Sequence, residues 1–70
     1  SSNIAYPRHI CMYICRELTT SPLAEIGNKL GNRHHSTVLH SVEIIENKIA
    51  ENDAETIQNI DVLKKKIDPQ

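Results

Sequence analysis

SPLAEIGNKLGNRHHSTVLHSVEII, residues 21–45, decides how this chain folds. Ser21 followed by Pro22 reads as a helix start: the hydroxyl can cap, and proline suits the first helical position, where its missing N–H costs nothing. Leu23, Ile26 and Leu30 then fall at offsets 0, 3 and 7, the inward face of a short helix that Gly31 ends. Asn32 or His34 caps the next helix. Val38, Val42, Ile45 and Ile49 repeat with a 4-3-4 spacing, the apolar stripe of that longer helix. A short helix, a glycine turn and a longer helix with polar first turns form the pattern of a helix-turn-helix whose second helix does the reading. An ordinary helical hairpin with a polar outer face fits the same pattern.

Working outward, Pro7 can open an earlier helix in which Ile10, Cys11, Ile14, Cys15 and Leu18 lie on one stripe closed by Thr19-Thr20. Beyond the central pair, Asn52-Asp53 is a cap, and Ile57, Ile60, Leu63 and Ile67 mark a last helix that stops at Asp68-Pro69. The expectation is an all-α, single domain over residues 1–70, with helices at about 7–19, 22–30, 34–51 and 54–67 and no strand. With 70 residues, two tyrosines and no Phe or Trp, the core must be built from aliphatic and small side chains. A core of that size supplies only a few kcal/mol, which argues against elaborate buried chemistry.

The formal charge of −1 hides an asymmetry. Residues 1–42 carry Arg8, Arg16, Lys29 and Arg33 against Glu17 and Glu25, a net of +2, together with all four histidines. Residues 43–70 carry a net of −3. A polyanion would therefore meet the first part of the chain. The acidic part reads as a solvated helix face, and Lys64-Lys65-Lys66 as the basic complement to a helix C-terminus. No stretch approaches the roughly 18 apolar residues of a membrane span, and no signal peptide is visible, so the chain is expected to be a soluble, cytoplasmic segment.

The chemical candidates thin out quickly. Cys11 and Cys15 have metal-ligand spacing, with His9 nearby, but both fall on an apolar stripe and read as core. His35 and His40 are five apart, and His34 and His35 diverge by roughly 100° on a helix, so neither pair stacks two ligands on one face. No nucleophile sits at a spacing that implies a base, and Glu43 lies three residues past His40 with no third partner. No enzyme, metal or cofactor is expected in this chain. What remains is a face: with Val38 at 0° and about 100° per residue, Arg33, Ser36, Thr37, His40, Glu43, Ile44 and Asn47 lie opposite the apolar stripe.

Three stretches carry a resemblance. Pro7-Arg8-His9-Ile10-Cys11-Met12-Tyr13-Ile14-Cys15-Arg16-Glu17-Leu18-Thr19, then Leu23-Ala24-Glu25-Ile26-Gly27, then Gly31-Asn32-Arg33-His34-His35-Ser36-Thr37-Val38-Leu39-His40 resemble the C-terminal DNA-binding domain of the bacterial replication initiator family DnaA. The likeness covers about residues 4–50, and the remaining tail matches only in being helical. It implies a TrpR-like helix-turn-helix that reads a short asymmetric duplex repeat, the DnaA box, at the replication origin. By that resemblance His34, His35, Ser36 and Thr37 would reach base edges, while Arg8, Arg16, Arg33, His40 and the backbone at Leu23 and Ala24 would meet phosphates. Hydroxyls and imidazoles can serve base edges, and guanidinium groups hold phosphate with paired donors.

Three departures qualify what the resemblance implies. The family usually has Asp at His34; an imidazole can donate or accept but is expected to cap poorly, which bears on base preference and on where the helix starts. Glu43 and Ile44 stand where the family often carries basic residues. The family precedes this region with a further helix and a basic loop that enters the minor groove, so the chain reads as a fragment with weak, micromolar or poorer, DNA binding. ATP or ADP is expected only in an upstream domain, because no glycine-rich phosphate loop is present. Two other readings remain: a transcription regulator with the same motif and another site, or an interaction domain that docks regulator proteins on residues 33–44 with Ile44 as exposed anchor.

Overall fold

The computed structural model describes residues 2–69, with side chains from residue 5 onward. Four helices succeed one another: α1 (Ser2–Leu18), α2 (Leu23–Lys29), α3 (His35–Ala50) and α4 (Ala54–Ile67). Helix α3 is the spine of the domain, lying against α1 and α2 over most of its length and against α4 at its end. Its stripe feeds two clusters. Val38 and Val42 join Met12 and Ile26 on the α2 side, and Ile45 joins Ile10, Ile14 and Ile60 on the α4 side. Each such buried side chain contributes about 1.5–3 kcal/mol by removal from water.

The first helix departs from expectation. It begins at Ser2 rather than near Pro7, which lies inside it. A proline there removes one intrahelical hydrogen bond, so the turn ahead of it needs outside support. Tyr6 supplies that support from fifty residues away: its hydroxyl donates to Thr56 Oγ1 at 2.8 Å and accepts from Asn59 Nδ2 at 3.1 Å. Thr56 in turn donates its hydroxyl to the Asp53 carboxylate, which also accepts the Thr56 backbone N–H at 3.3 Å and caps α4. A side-chain network thus ties the start of α1 to the start of α4.

Burial also corrects the sequence stripes. Cys11, read as core, is exposed, and Met12 beside it is fully buried. Cys15 is half-buried, and burial pushes its thiol pKa up. Leu18, Ile57 and Ile67 are exposed, whereas Thr56 is wholly inside. On α2 the capping position belongs to Pro22, not Ser21, and no side chain caps that helix.

Candidate nucleic-acid interface

The turn between α2 and α3 is held by backbone contacts that need glycine twice. The Arg33 N–H donates to the Gly27 carbonyl at 2.8 Å, and this closure brings the Arg33 carbonyl so near Gly27 that a Cβ there would overlap it. Gly27 is therefore the point where the turn folds back onto α2. Gly31 at φ 101° and Asn32 at φ 52° reverse the chain, in backbone regions that favour Gly and admit Asn. The result sets α3 against α2 with its first turn facing outward.

That first turn carries the residues singled out by the sequence. His34 occupies the N-cap, and contrary to the expectation of poor capping its Nδ1 accepts the Ser36 backbone N–H at 3.2 Å. The same Nδ1 lies 2.8 Å from Ser36 Oγ. The rings of His34 and His35 pack with centroids 4.1 Å apart and planes 35° from parallel. His34, His35 and Ser36 are exposed and Thr37 is half-buried, so these four form one edge at the start of α3. His40 is exposed one turn further along. Ile44 is half-buried, which removes the fully exposed anchor expected for a partner helix.

The arginines fall in the turn and on α1. Arg33, in the turn, and Arg8, on α1, each have a buried Nε with no hydrogen-bond partner among the described residues. Both are only half-buried as residues. With Nε enclosed, an outside anion would be met by the terminal amino groups of these guanidinium groups. Arg16 is exposed on the last turn of α1. Leu23 is half-buried and Ala24 exposed at the start of α2, where the absence of a side-chain cap leaves first-turn N–H groups without that kind of partner. Lys64 and Lys65, by contrast, are engaged with Glu17 at 3.8 Å and Asp61 at 3.0 Å on the α4 side.

Two further residues, His9 and Lys48, lie near His40 where α1 meets α3 and were not singled out by spacing. His9 Nδ1 sits 2.7 Å from Oγ of the fully buried Ser41, joining α1 to α3. Burial lowers the His9 pKa first, and the nearby charges of Arg8, His40 and Lys48 lower it further. Arg8, His9, His40 and Lys48 are thus electrostatic neighbours drawn from two helices. The available signal was weak: His9 is adjacent to Arg8, and Lys48 lies two turns beyond Ser41. Among the described residues no group of three or more His, Cys, Asp or Glu side chains is placed to hold a metal. Among the described residues no helix is long and apolar enough to cross a membrane.

A tight glycine turn between a short helix and a longer one, whose polar first turn follows directly on Arg33, defines a helix-turn-helix domain. Residues 1–45 match the family described as bacterial dnaA protein helix-turn-helix. The chain belongs to that family. It is similar to the chromosomal replication initiator protein DnaA of Lachnoclostridium phytofermentans, 54% identical over 69 residues, covering 99% of this chain and 15% of the relative. The protein of the same name from Geotalea uraniireducens is 49% identical over 61 residues, covering 87% and 13%, and that of Streptococcus thermophilus 43% over 67 residues, covering 96% and 14%. The chain therefore spans about one seventh of the length of these curated relatives. No solved structure matches it.

Proposed function

We propose that this domain binds double-stranded DNA with sequence preference for the DnaA box at the replication origin, in the initiation of chromosome replication, acting inside the cell as part of a longer initiator whose nucleotide site lies outside this chain. The observation that carries the reading is the first turn of α3: His34, His35 and Ser36 are exposed with Thr37 half-buried beside them, and Arg33 directly precedes them in the turn. The major groove admits a helix end-on, and polar side chains at its first turns meet base edges. In this arrangement His34, His35, Ser36 and Thr37 read bases. Arg8, Arg16, Arg33 and His40, with the backbone of Leu23 and Ala24, hold phosphates and set the register.

With about three to five phosphate contacts, the logarithm of affinity should fall with the logarithm of salt at about −0.9 per contact. The test is a titration of a DnaA-box duplex and a scrambled duplex into labelled domain at low salt, monitored by amide NMR shifts. Residues 32–40 move and residues 53–70 stay, and the box binds more tightly than the scramble. Equal affinity for both duplexes would defeat the claim of sequence recognition. Replacing Arg33 by Ala weakens both duplexes alike and reduces the salt slope by about 1, while Thr37→Ala flattens the preference.

A further inference from the structure

The cap of α3 decides what the His34 ring can read, an inference that rests on the DNA-binding reading above. The Ser36 backbone N–H can only donate, and it points at His34 Nδ1 from 3.2 Å. A nitrogen that accepts a hydrogen bond carries no hydrogen, so the neutral ring has its hydrogen on Nε2. Turning the ring over would set a carbon-bound hydrogen against the same N–H and abolish the cap. Ser36 Oγ lies 2.8 Å from the same Nδ1. Facing an unprotonated nitrogen, its hydroxyl hydrogen shares the single Nδ1 lone pair with the backbone N–H as a bifurcated contact, and only its lone pairs are left for the outside. The packing of the two imidazoles at 4.1 Å adds a second restraint on the ring.

We infer that His34 is a specificity-determining residue that reads as a hydrogen-bond donor only, through Nε2–H, while Ser36 reads as an acceptor only. His34 therefore selects a base that offers an acceptor in the major groove, namely purine N7, guanine O6 or thymine O4. It rejects the cytosine N4 amino group, which would set donor against donor. Ser36 selects the amino group of adenine or cytosine at its own position. The same backbone contact that starts the helix fixes the sign of the recognition.

The test compares the native domain with His34→Asp, which keeps a good N-cap but presents an acceptor in place of a donor. Each position of a DnaA-box duplex is changed to all four base pairs and the affinities are ranked. At one position the native domain loses roughly three- to tenfold when an acceptor edge is replaced by cytosine. His34→Asp reverses that order at the same position and leaves the others unchanged. An identical ranking in both proteins overturns the inference, whereas a native domain with no preference anywhere overturns the recognition reading and this inference with it. Nitrogen-15 shifts of the His34 ring give an answer without DNA: Nδ1 without hydrogen and Nε2 with it supports the assignment, and the reverse pattern refutes it.

Discussion

Gly27→Ala separates this fold from an ordinary helical hairpin. In an exposed helix interior the substitution should stabilise by about 0.8–1.0 kcal/mol, because alanine is the better helix former. Here the new Cβ would overlap the Arg33 carbonyl oxygen and stand 3.0 Å from the Arg33 carbonyl carbon and 3.2 Å from Val38 Cγ2. Two of those three atoms are backbone and the third belongs to a fully buried side chain, so no flexible end can swing away. Overpacking of this kind costs about 1–3 kcal/mol. Moving the turn aside would also give up the Arg33 N–H bond to the Gly27 carbonyl, about 1 kcal/mol, and part of the burial of Val38. After the propensity gain is subtracted, the net loss is about 2–4 kcal/mol. For a domain of this size each kcal/mol moves the melting temperature by about 4–8 °C, so the variant should melt roughly 10–30 °C below the native domain. Thermal unfolding monitored by far-UV circular dichroism measures it. Gly31→Ala provides the contrast, since its neighbours leave room and only the positive φ opposes it, with an expected loss of about 1–2 kcal/mol. A Gly27→Ala domain that melts at or above the native temperature would refute the closure of the turn onto α2.

The packing and the titrating groups set three further outcomes. Ile45, wholly buried where α1 and α4 meet α3, should cost about 2–5 kcal/mol when cut to Ala, enough to unfold most of a domain this small, as urea titration will show. His9 has a folded pKa lowered by burial, so the unfolded chain binds its proton first; the stability it contributes is present above about 6.5 and is lost as pH falls toward the folded value. Urea midpoints on either side of that pH should differ in the native domain and much less in His9→Gln. The hydrogen bond from the Thr56 hydroxyl is the main influence holding the Asp53 carboxyl below its usual pKa, so its contribution is present above about 3.9 and lost as pH falls through the folded value. Asp53→Asn keeps a cap but should flatten that acid limb of the stability curve.

The helix-turn-helix class is legible in residues 21–45 because each signal there is local. Apolar spacing, Pro22 and Gly31 act through the backbone of their own segment, and helical phase alone sets Arg33, Ser36, Thr37 and His40 opposite the apolar stripe. The site was less legible where partners come from afar. His9 joins α1 to α3 through Ser41, thirty-two positions away, and no spacing rule connects them. The capping strength of His34 was misjudged from residue type, because an imidazole caps well only when its ring is turned to bring Nδ1 over the Ser36 N–H.

By itself the sequence determined which residues could share a helix face, where the chain must turn, and which end of the molecule would carry positive charge. A period of 3.6 fixes the direction in which a side chain leaves the helix, but not how deeply that direction is covered. Tertiary structure decided depth: Met12 went inside and Cys11 stayed out, and Ser41 and Thr56 were buried because His9 and Tyr6 came to meet them. It likewise carried α1 past Pro7, since the support for that first turn comes from α4. The physical reason is the same throughout. Local propensity acts within a few residues, whereas the cost of burying a hydroxyl or carrying a helix past a proline is offset by groups brought together only by folding.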